Sequence, residues 1–219
     1  MADNVFGDAI NNETLSRMPE YQRTRLNRAR MALSMKDVGE KSLNARTYVE
    51  KLKEQSGDGV ATLCLVYNAT GDTIRYAYKK DWFGEIWKTC QYPPQIANGQ
   101  WGAFLHVKIA GDPSGSNAAV VYRGLNNVSD DCDWMLSWSN PWNTIRYDNT
   151  VYTEVRKAGG FDTAWDEIYK EFRTVRANLK HKSNGCVSIM ETGKDTSPIV
   201  KAILTLEHAE EAKPTSGHA

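Results

Sequence analysis

The sequence lacks net charge and long hydrophobic runs. Lysine plus arginine and aspartate plus glutamate number 27 each among 219 residues, so the formal net charge is zero. A neutral chain has no overall electrostatic attraction to nucleic acid or to an anionic membrane, although zero net charge is compatible with a local charged patch on the surface. The longest apolar run, Val60 to Tyr67, is far too short to span a bilayer. We therefore expect a protein that neither crosses a membrane nor binds nucleic acid.

A secretion signal and a metal-binding cysteine pattern are lacking as well. Met1 to Asp8 contain no basic segment followed by an apolar run. No Cys-x-x-Cys or Cys/His spacing occurs, so we expect no metal and no cofactor. We expect a soluble, cytoplasmic protein, in which thiols stay reduced and some are buried in strands. The sequence leaves open whether any of the four cysteines pair: Cys64, Cys90, Cys132 and Cys186.

Catalytic motifs are also missing. Gly111 to Gly115 is a turn that contains a proline, not a phosphate-binding loop. The acidic run Asp130 to Asp133 lacks the glycine and the distal glutamate of a calcium loop, so it indicates a solvated turn. No Ser/His/Asp catalytic triad can be assigned, because the four histidines are far apart in the sequence. They are His106, His181, His208 and His218. We predict a non-enzymatic protein without catalytic residues, and an enzyme acting on a glycan or nucleic acid ranks last.

The most informative segment that is present runs from Trp138 to Glu154 and combines aromatic residues, amides and a proline. This composition is typical of a loop that holds a flat or ring-shaped ligand. Its Pro/Asn-rich part favours exposure of Trp142 and Tyr147, which could stack on a sugar or enclose a quaternary ammonium group. Each cation–π contact is worth about 0.5–2 kcal/mol. The alternative is that each aromatic residue of the segment packs in the core; these residues are Trp138, Trp142, Tyr147 and Tyr152.

The first 57 residues contain no tryptophan and show helical patterns. Apolar residues at helical spacing predict a helix that begins after Ser42 as N-cap and ends at Gly57. A weaker pattern predicts a helix over Arg23 to Lys36, with a basic face. Such a basic stretch could lie on a membrane surface, but its thin apolar face favours packing on its own domain.

From Val60 onward the pattern changes to short strands separated by turns, which indicates a sandwich or barrel. No βαβ alternation occurs, so we expect no parallel sheet. One helix is predicted over Asp162 to Leu179, and the polar tail after Leu206 is expected to be disordered. The predicted strands are Val60–Asn68, Thr73–Tyr78, Trp82–Lys88, Gln100–Ile109, Ala118–Arg123, Asp133–Trp138, Thr150–Arg156, Cys186–Met190 and Val200–Leu206.

Three sequence blocks resemble the plant jasmonate-induced proteins of the roughly 23-kilodalton class: Gly59 to Thr73, Asn98 to Lys108 and Asp133 to Asn143. The resemblance runs from about Val5 to about Leu206. It implies a flowering-plant protein of stress or defence, and it supplies no defined activity.

A second resemblance concerns the segment Ser139-x-Pro-Trp-Asn followed by Tyr147-x-Asn149. It is similar to the segment by which actinoporin-type β-sandwiches and fungal fruit-body lectins hold a ligand. In actinoporins this segment contributes to a phosphocholine pocket, and the matching positions here are Ser139, Pro141, Tyr147 and Tyr169. The chain departs from that pattern at four positions. Arg173 and Thr174 fall near two further pocket tyrosines, and Arg146 and Thr150 fall near the membrane-inserting tryptophans.

Together these observations predict a mainly β (α+β) fold, an antiparallel β-sandwich of actinoporin or fruit-body-lectin type with one packed helix. The predicted organisation is an N-terminal helical extension (1–57), the sandwich domain (58–206) and a disordered tail (207–219). We expect binding of a glycan or a phosphocholine-type headgroup, with possible peripheral membrane contact. The alternative is a membrane-active, pore-forming protein whose N-terminal helices detach. The predicted ligand-binding residues are Ser139, Pro141, Trp142, Tyr147, Asn149 and Tyr169.

Overall fold

The structure is a computed structural model that describes residues 4–172, 174 and 176–210. Strands dominate these residues, as the sequence predicts. The strands are β1 (Val5–Phe6), β2 (Ala61–Ala69), β3 (Ile74–Phe83), β4 (Glu85–Ile86), β5 (Gln95–Ile96), β6 (Trp101–Val107), β7 (Gly115–Leu125), β8 (Asp131–Pro141), β9 (Thr150–Lys157), β10 (Asn178–Ser183), β11 (Cys186–Thr192) and β12 (Ile199–Leu206). The helices are α1 (Arg25–Ser34), α2 (Lys41–Ser56) and α3 (Trp165–Phe172).

The strands form two sheets. The first sheet has the order β1-β6-β2-β12-β11-β10, with β4 also paired to β6, and the second has the order β5-β3-β7-β8-β9. Within the described residues all strand pairs are antiparallel except β2 and β12, which run parallel. The sandwich prediction is confirmed, but the expectation of no parallel pairing is wrong at this pair. The chain passes through the whole second sheet between β2 and β12, which is a long enough connection to return a strand in the same direction.

The core between the sheets is built from alternate residues of neighbouring strands. On β8, Trp134, Leu136 and Trp138 are buried and lie opposite Tyr122, Val120 and Ala118 of β7. Alternation follows from the two-residue period of a strand, which sends every second side chain to the same face. Trp138 is therefore a core residue, so core packing is the correct interpretation for this first aromatic of the loop segment.

The N-terminal helices pack on the outer face of the first sheet. Ala32 of α1 and Ala45, Val49 and Leu52 of α2 are buried with apolar side chains of β2 and β6. Strand β1 pairs with β6, so residues before α1 also join this sheet. No described helix is both long and apolar enough to cross a membrane.

Helix α2 begins two residues earlier than expected. Its N-cap is Glu40, in the left-handed conformation at φ 56°, so the prediction of Ser42 as the cap is wrong. Helix α1 lies within the predicted range, and the Thr24 side chain accepts a hydrogen bond from the Asn27 backbone N–H at its start. This cap satisfies one of the donors that a helix leaves free at its first turn.

Helix α3 is shorter than the sequence predicts, since the chain has become a strand by Asn178. Leu179 belongs to β10, whose pairing with β11 replaces the helix. Arg173 and Val175, part of the predicted helix, lie outside the described residues. Ile168 and Phe172 of α3 pack against the outer face of the second sheet, where they are buried with Ala119, Val121 and Met135.

The tail prediction is wrong for its first residues. Glu207–Ala209 form one turn of 3-10 helix, and Ala209 packs in the core between the sheets. Residues 211–219, the rest of the predicted disordered tail, lie outside the described residues. The buried Ala209 ties this turn to the sandwich, which a polar tail composition does not reveal.

Candidate functional site

An exposed loop joins β8 to β9 at one end of the second sheet. Its exposed large hydrophobic side chains are Ile145 at 99%, Trp142 at 55% and Tyr147 at 50%. The loop is a defined turn, because the backbone carbonyl of Asn143 accepts hydrogen bonds from the N–H groups of Arg146 and Tyr147. The predicted exposure of Trp142 and Tyr147 is therefore observed.

A cavity of about 380 Å³ lies beside this loop, where β3, β7, β8 and α3 meet. Five of the six predicted ligand-binding residues line it: Ser139, Pro141, Trp142, Tyr147 and Tyr169. Ser139 and Pro141 come from the end of β8, Trp142 and Tyr147 from the loop, and Tyr169 from α3. The structure thus brings together residues that are up to 30 positions apart in the sequence (139 to 169).

The remaining lining residues were not predicted: Phe83, Pro113, Ser114, Asn117, Asn143, Arg146, Asp148 and Thr150. Asn117 lies directly opposite Ser139 on the neighbouring strand β7, so strand pairing brings it to the cavity. Phe83 ends β3, and no sequence pattern connects it to the loop. The acidic and basic members of the set, Asp148 and Arg146, lie within the loop itself.

The strand wall of the cavity is held by close backbone packing. Gly115 has φ +109°, and a Cβ atom there would lie 2.3 Å from the Asn140 carbonyl oxygen. Only glycine tolerates this conformation together with this approach. The Asn140 side chain donates to the Ala61 carbonyl at 2.9 Å, which ties the end of β8 to the first sheet. Ser139 and Pro141 therefore project from a fixed strand end.

The helix wall is fixed by a cluster of aromatic rings. Trp82 of β3 contacts Tyr169 and Phe172, with ring centroids 5.5 and 4.7 Å away. The Thr150 hydroxyl donates to the Phe172 carbonyl, which fastens the end of α3 to the start of β9. Aromatic packing of this kind adds about 0.5–1.5 kcal/mol per pair beyond burial. Tyr169 is therefore held at the cavity, half-buried.

Asn149 does not line this cavity, contrary to its predicted role. It is buried, and its Nδ2 donates to the carbonyls of Gly193 and Asp195 at 3.1 and 2.8 Å. It lies instead at a neighbouring cavity of about 260 Å³, which shares Tyr147 and Asp148 with the first. The amide therefore anchors the loop to the segment between β11 and β12.

A cation already lies near the face of one aromatic residue of the loop. The Arg146 guanidinium is 5.8 Å from the centre of the Tyr147 ring, within the range of a cation–π contact. Asp148 follows directly and also lines the cavity. Among the described residues no cluster of His, Cys, Asp and Glu could hold a metal ion. The site therefore offers aromatic faces, charges of both signs and neutral polar groups.

A Ser/His/Asp grouping that the sequence did not reveal lies behind the strand wall. His106 Nδ1 is 2.9 Å from Ser116 Oγ, and His106 Nε2 is 3.6 Å from Asp81 Oδ1. Both His106 and Ser116 are fully buried, and burial lowers the pKa of His106. The Ser116 hydroxyl is also hydrogen-bonded to Thr62. A nucleophile must reach its substrate, so this buried network is structural.

Comparison with known proteins places the chain in a family. The family model for Nakanori-like proteins matches residues 6–207. The chain belongs to the Nakanori-like family. The 23 kDa jasmonate-induced protein of Hordeum vulgare is 42% identical over 194 residues, covering 86% of this chain and 87% of that protein. The jasmonate-induced resemblance of the three sequence blocks is thereby confirmed.

One solved structure has the same fold. The crystal structure described as the lipid binding protein Nakanori has a TM-score of 0.82 and 29% identity, covering 91% of this chain and 98% of that one. A lectin of Xerocomus chrysenteron has a TM-score of 0.45 and 10% identity, covering 67% of this chain and 98% of that one. The match to Nakanori shows that this chain has the same fold over almost the whole length of that protein.

Proposed function

We propose that this member of the Nakanori-like family is a non-enzymatic protein of plant stress or defence that binds a choline-type lipid headgroup in the cavity beside Trp142. The observation that carries the proposal is the convergence of Trp142, Tyr147 and Tyr169 on one open cavity. The similarity to a lipid binding protein supports a lipid ligand. We further propose that the protein acts in the cytoplasm.

A choline-type headgroup matches the cavity in its chemistry. The quaternary ammonium would lie against the faces of Trp142, Tyr147 and Tyr169, where each good contact contributes about 0.5–2 kcal/mol. Asp148 adds an attractive charge for the ammonium, and Arg146 adds one for the phosphate. Binding would require Arg146 to exchange its contact with the Tyr147 ring for the phosphate.

Ile145 supports peripheral contact with a bilayer. This side chain is almost fully exposed between Trp142 and Tyr147, at the tip of the loop that lines the cavity. Burial of an isoleucine side chain from water is worth up to about 1.5–3 kcal/mol. A protein that takes a headgroup from the bilayer surface would therefore bury Ile145 among the lipids at the same time.

A carbohydrate is the second candidate ligand. Ser139, Asn117 and Asn143 supply a hydroxyl and two amides around the cavity, and Trp142 is exposed enough to stack on a sugar ring. Aromatic faces beside amide hydrogen-bonding groups are suited to ring-shaped polar ligands.

Vesicle binding separates the lipid ligand from the sugar. Sedimentation with phosphatidylcholine vesicles should capture the protein, and vesicles of phosphatidylethanolamine, which lacks the quaternary ammonium, should capture much less. Trp142→Ala and Tyr147→Ala should each weaken binding by about 2- to 30-fold, equivalent to the loss of one aromatic contact. Tyr21→Ala is the matched control, because Tyr21 is 78% exposed outside the cavity. Equal binding by all four proteins would refute the assignment of the site.

A further variant separates the headgroup pocket from the bilayer contact. Ile145→Ser should weaken binding to phosphatidylcholine vesicles about 10-fold, but it should leave binding of soluble phosphocholine unchanged. Loss of both activities would show that Ile145 shapes the cavity instead of contacting lipid.

Pore formation would require the N-terminal helices to leave the sheet. Helix α1 is held by Arg25 and Arg28, which bind the two carboxylate oxygens of Asp72 at 2.6 and 2.9 Å, and by buried Ala32. Release of calcein from phosphatidylcholine vesicles tests this alternative separately from binding. Leakage at micromolar protein would make membrane permeabilisation part of the function. If no calcein is released, headgroup binding is the function and permeabilisation is not.

A further inference from the structure

Two buried cysteines face each other across the core of the sandwich. Cys132 is the second residue of β8 in the second sheet, and Cys186 is the first residue of β11 in the first sheet. Their sulfur atoms are 3.3 Å apart, and neither residue is exposed to solvent. They are 54 positions apart in the sequence, so the fold alone brings them together.

The two sulfur atoms are close enough for a covalent bond after a small displacement. A disulfide has a sulfur–sulfur distance of about 2.05 Å, so the atoms must approach by about 1.3 Å. Both residues lie at strand ends that adjoin turns, Ser129 before β8 and Gly185 before β11. The thiol of Cys132 already donates to the sulfur of Cys186, so the two sulfur atoms face each other.

We propose that Cys132 and Cys186 are a cross-linking site that joins the two sheets by a disulfide when the chain meets a low-molecular-weight disulfide such as oxidised glutathione. Two S–H bonds break and one S–S bond forms in the protein. The oxidant accepts the two electrons and two protons and leaves as two thiols. Each exchange step proceeds by attack of a thiolate on a disulfide sulfur, through a mixed disulfide.

The other two cysteines have different neighbours. Cys64 Sγ contacts the carbonyl of Thr62 at 3.8 Å, and Cys90 Sγ contacts the carbonyl of Gln91 at 3.5 Å. Cys90 is half-buried, outside the Cys132–Cys186 contact. The double variant Cys64→Ala/Cys90→Ala therefore retains the proposed pair and removes competing partners.

Burial determines how fast the bond forms but not whether it is favoured. The hydrogen bond with Cys132, together with burial, raises the pKa of the Cys186 thiol, so the reactive thiolate is scarce in the folded protein. We therefore expect closure to proceed through folding or local opening. An equilibrium measurement is the appropriate test, because it does not depend on the rate of access.

The experiment measures the fraction of cross-linked chains in a series of reduced and oxidised glutathione buffers. Cys64→Ala/Cys90→Ala is equilibrated in native buffer and, in parallel, in concentrated urea. Free thiols are then alkylated and counted by intact mass. If the fold holds the pair in position, the equilibrium constant for the disulfide should be about 30- to 1,000-fold larger in the native protein than in urea.

Peptide mapping of the wild-type chain after the same equilibration gives a second readout that does not depend on folding of the variant. The proposal expects a Cys132–Cys186 linked peptide as the dominant disulfide. An equilibrium constant that is equal in native buffer and in urea, or smaller in native buffer, would overturn it. Dominance of any other pairing, or of mixed disulfides with glutathione, in the wild-type protein would also overturn it.

Discussion

A buried carboxylate on β8 offers the sharpest prediction about stability. The Asp133 side chain is fully buried, and the guanidinium of Arg123 binds its two oxygens at 2.7 and 2.8 Å. The backbone N–H of Gly159 donates to it at 2.8 Å and the Tyr78 hydroxyl at 3.3 Å. The carboxylate also holds the pKa of Arg123 above its ordinary value. Arg123→Met removes the only cation in this arrangement within the described residues.

The expected loss of stability follows from leaving this charge unpaired. Removing one partner of a buried ion pair costs about 3–5 kcal/mol, and solvent screening reduces this cost here because the Arg123 side chain is 39% exposed. Gly159 and Tyr78 continue to donate to the carboxylate, so we expect the lower end of that range, about 3 kcal/mol. A domain of this size shifts its midpoint by about 2–4 °C per kcal/mol, which predicts a decrease of about 6–12 °C.

Urea unfolding followed by circular dichroism measures this loss, and the chain provides a matched control. Arg75 lies directly opposite Arg123 on the neighbouring strand β3 and is exposed. Arg75→Met should therefore change the free energy of unfolding by no more than about 0.5 kcal/mol. The double variant Arg123→Met/Asp133→Asn should recover part of the loss, because it removes the unpaired charge. A loss below about 1 kcal/mol for Arg123→Met, or one equal to that of Arg75→Met, would show that Arg123 does not stabilise the Asp133 carboxylate.

Two further predictions concern pH and the docking of α1. Burial lowers the pKa of His106 below its ordinary value of 6.5. Below pH 6.5 the unfolded chain therefore binds a proton that the folded chain does not. The free energy of unfolding falls as the pH falls, by up to about 1.4 kcal/mol per pH unit. His106→Gln should show a shallower decrease in urea midpoint between pH 6.5 and 5, and equal slopes would contradict this assignment. Gly71→Ala should lower the free energy of unfolding by at least about 2 kcal/mol more than the control Gly111→Ala. Both glycines have a positive φ, but only at Gly71 would a Cβ atom meet the Arg25 carbonyl, at 2.3 Å. Hydrogen exchange should show α1 opening in the first variant only, and unchanged protection of α1 in both would contradict the docking argument.

Strand positions in the sandwich were predictable where hydrophobic pattern and turn chemistry agreed. The predicted strand Val60–Asn68 differs from β2 by one residue at each end, and Thr150–Arg156 differs from β9 by one residue at its end. Strand β10 was missed because its residues alternate between exposed and half-buried and include no fully buried side chain. Such a polar edge strand carries no hydrophobic period, and the predicted helix ends inside it, at Leu179.

The candidate site was predictable only in part, for a physical reason. Trp142 and Tyr147 lie in a loop whose composition already indicated exposure. Asn149 lies in a segment of the same composition, but its amide donates hydrogen bonds to two backbone carbonyls, which only the fold reveals. Phe83 and Asn117 reach the cavity through strand pairing, which one sequence does not determine.

The central claim is that the cavity beside Trp142 binds a choline-type headgroup. The most direct measurement is an array that carries phosphocholine and phosphoethanolamine conjugates together with plant and microbial glycans. It is probed with the wild-type protein, Trp142→Ala/Tyr147→Ala and the control Tyr21→Ala. We expect a signal on phosphocholine that the double variant loses and Tyr21→Ala keeps. A phosphocholine signal that survives in the double variant, or no phosphocholine signal from the wild-type protein, would contradict it.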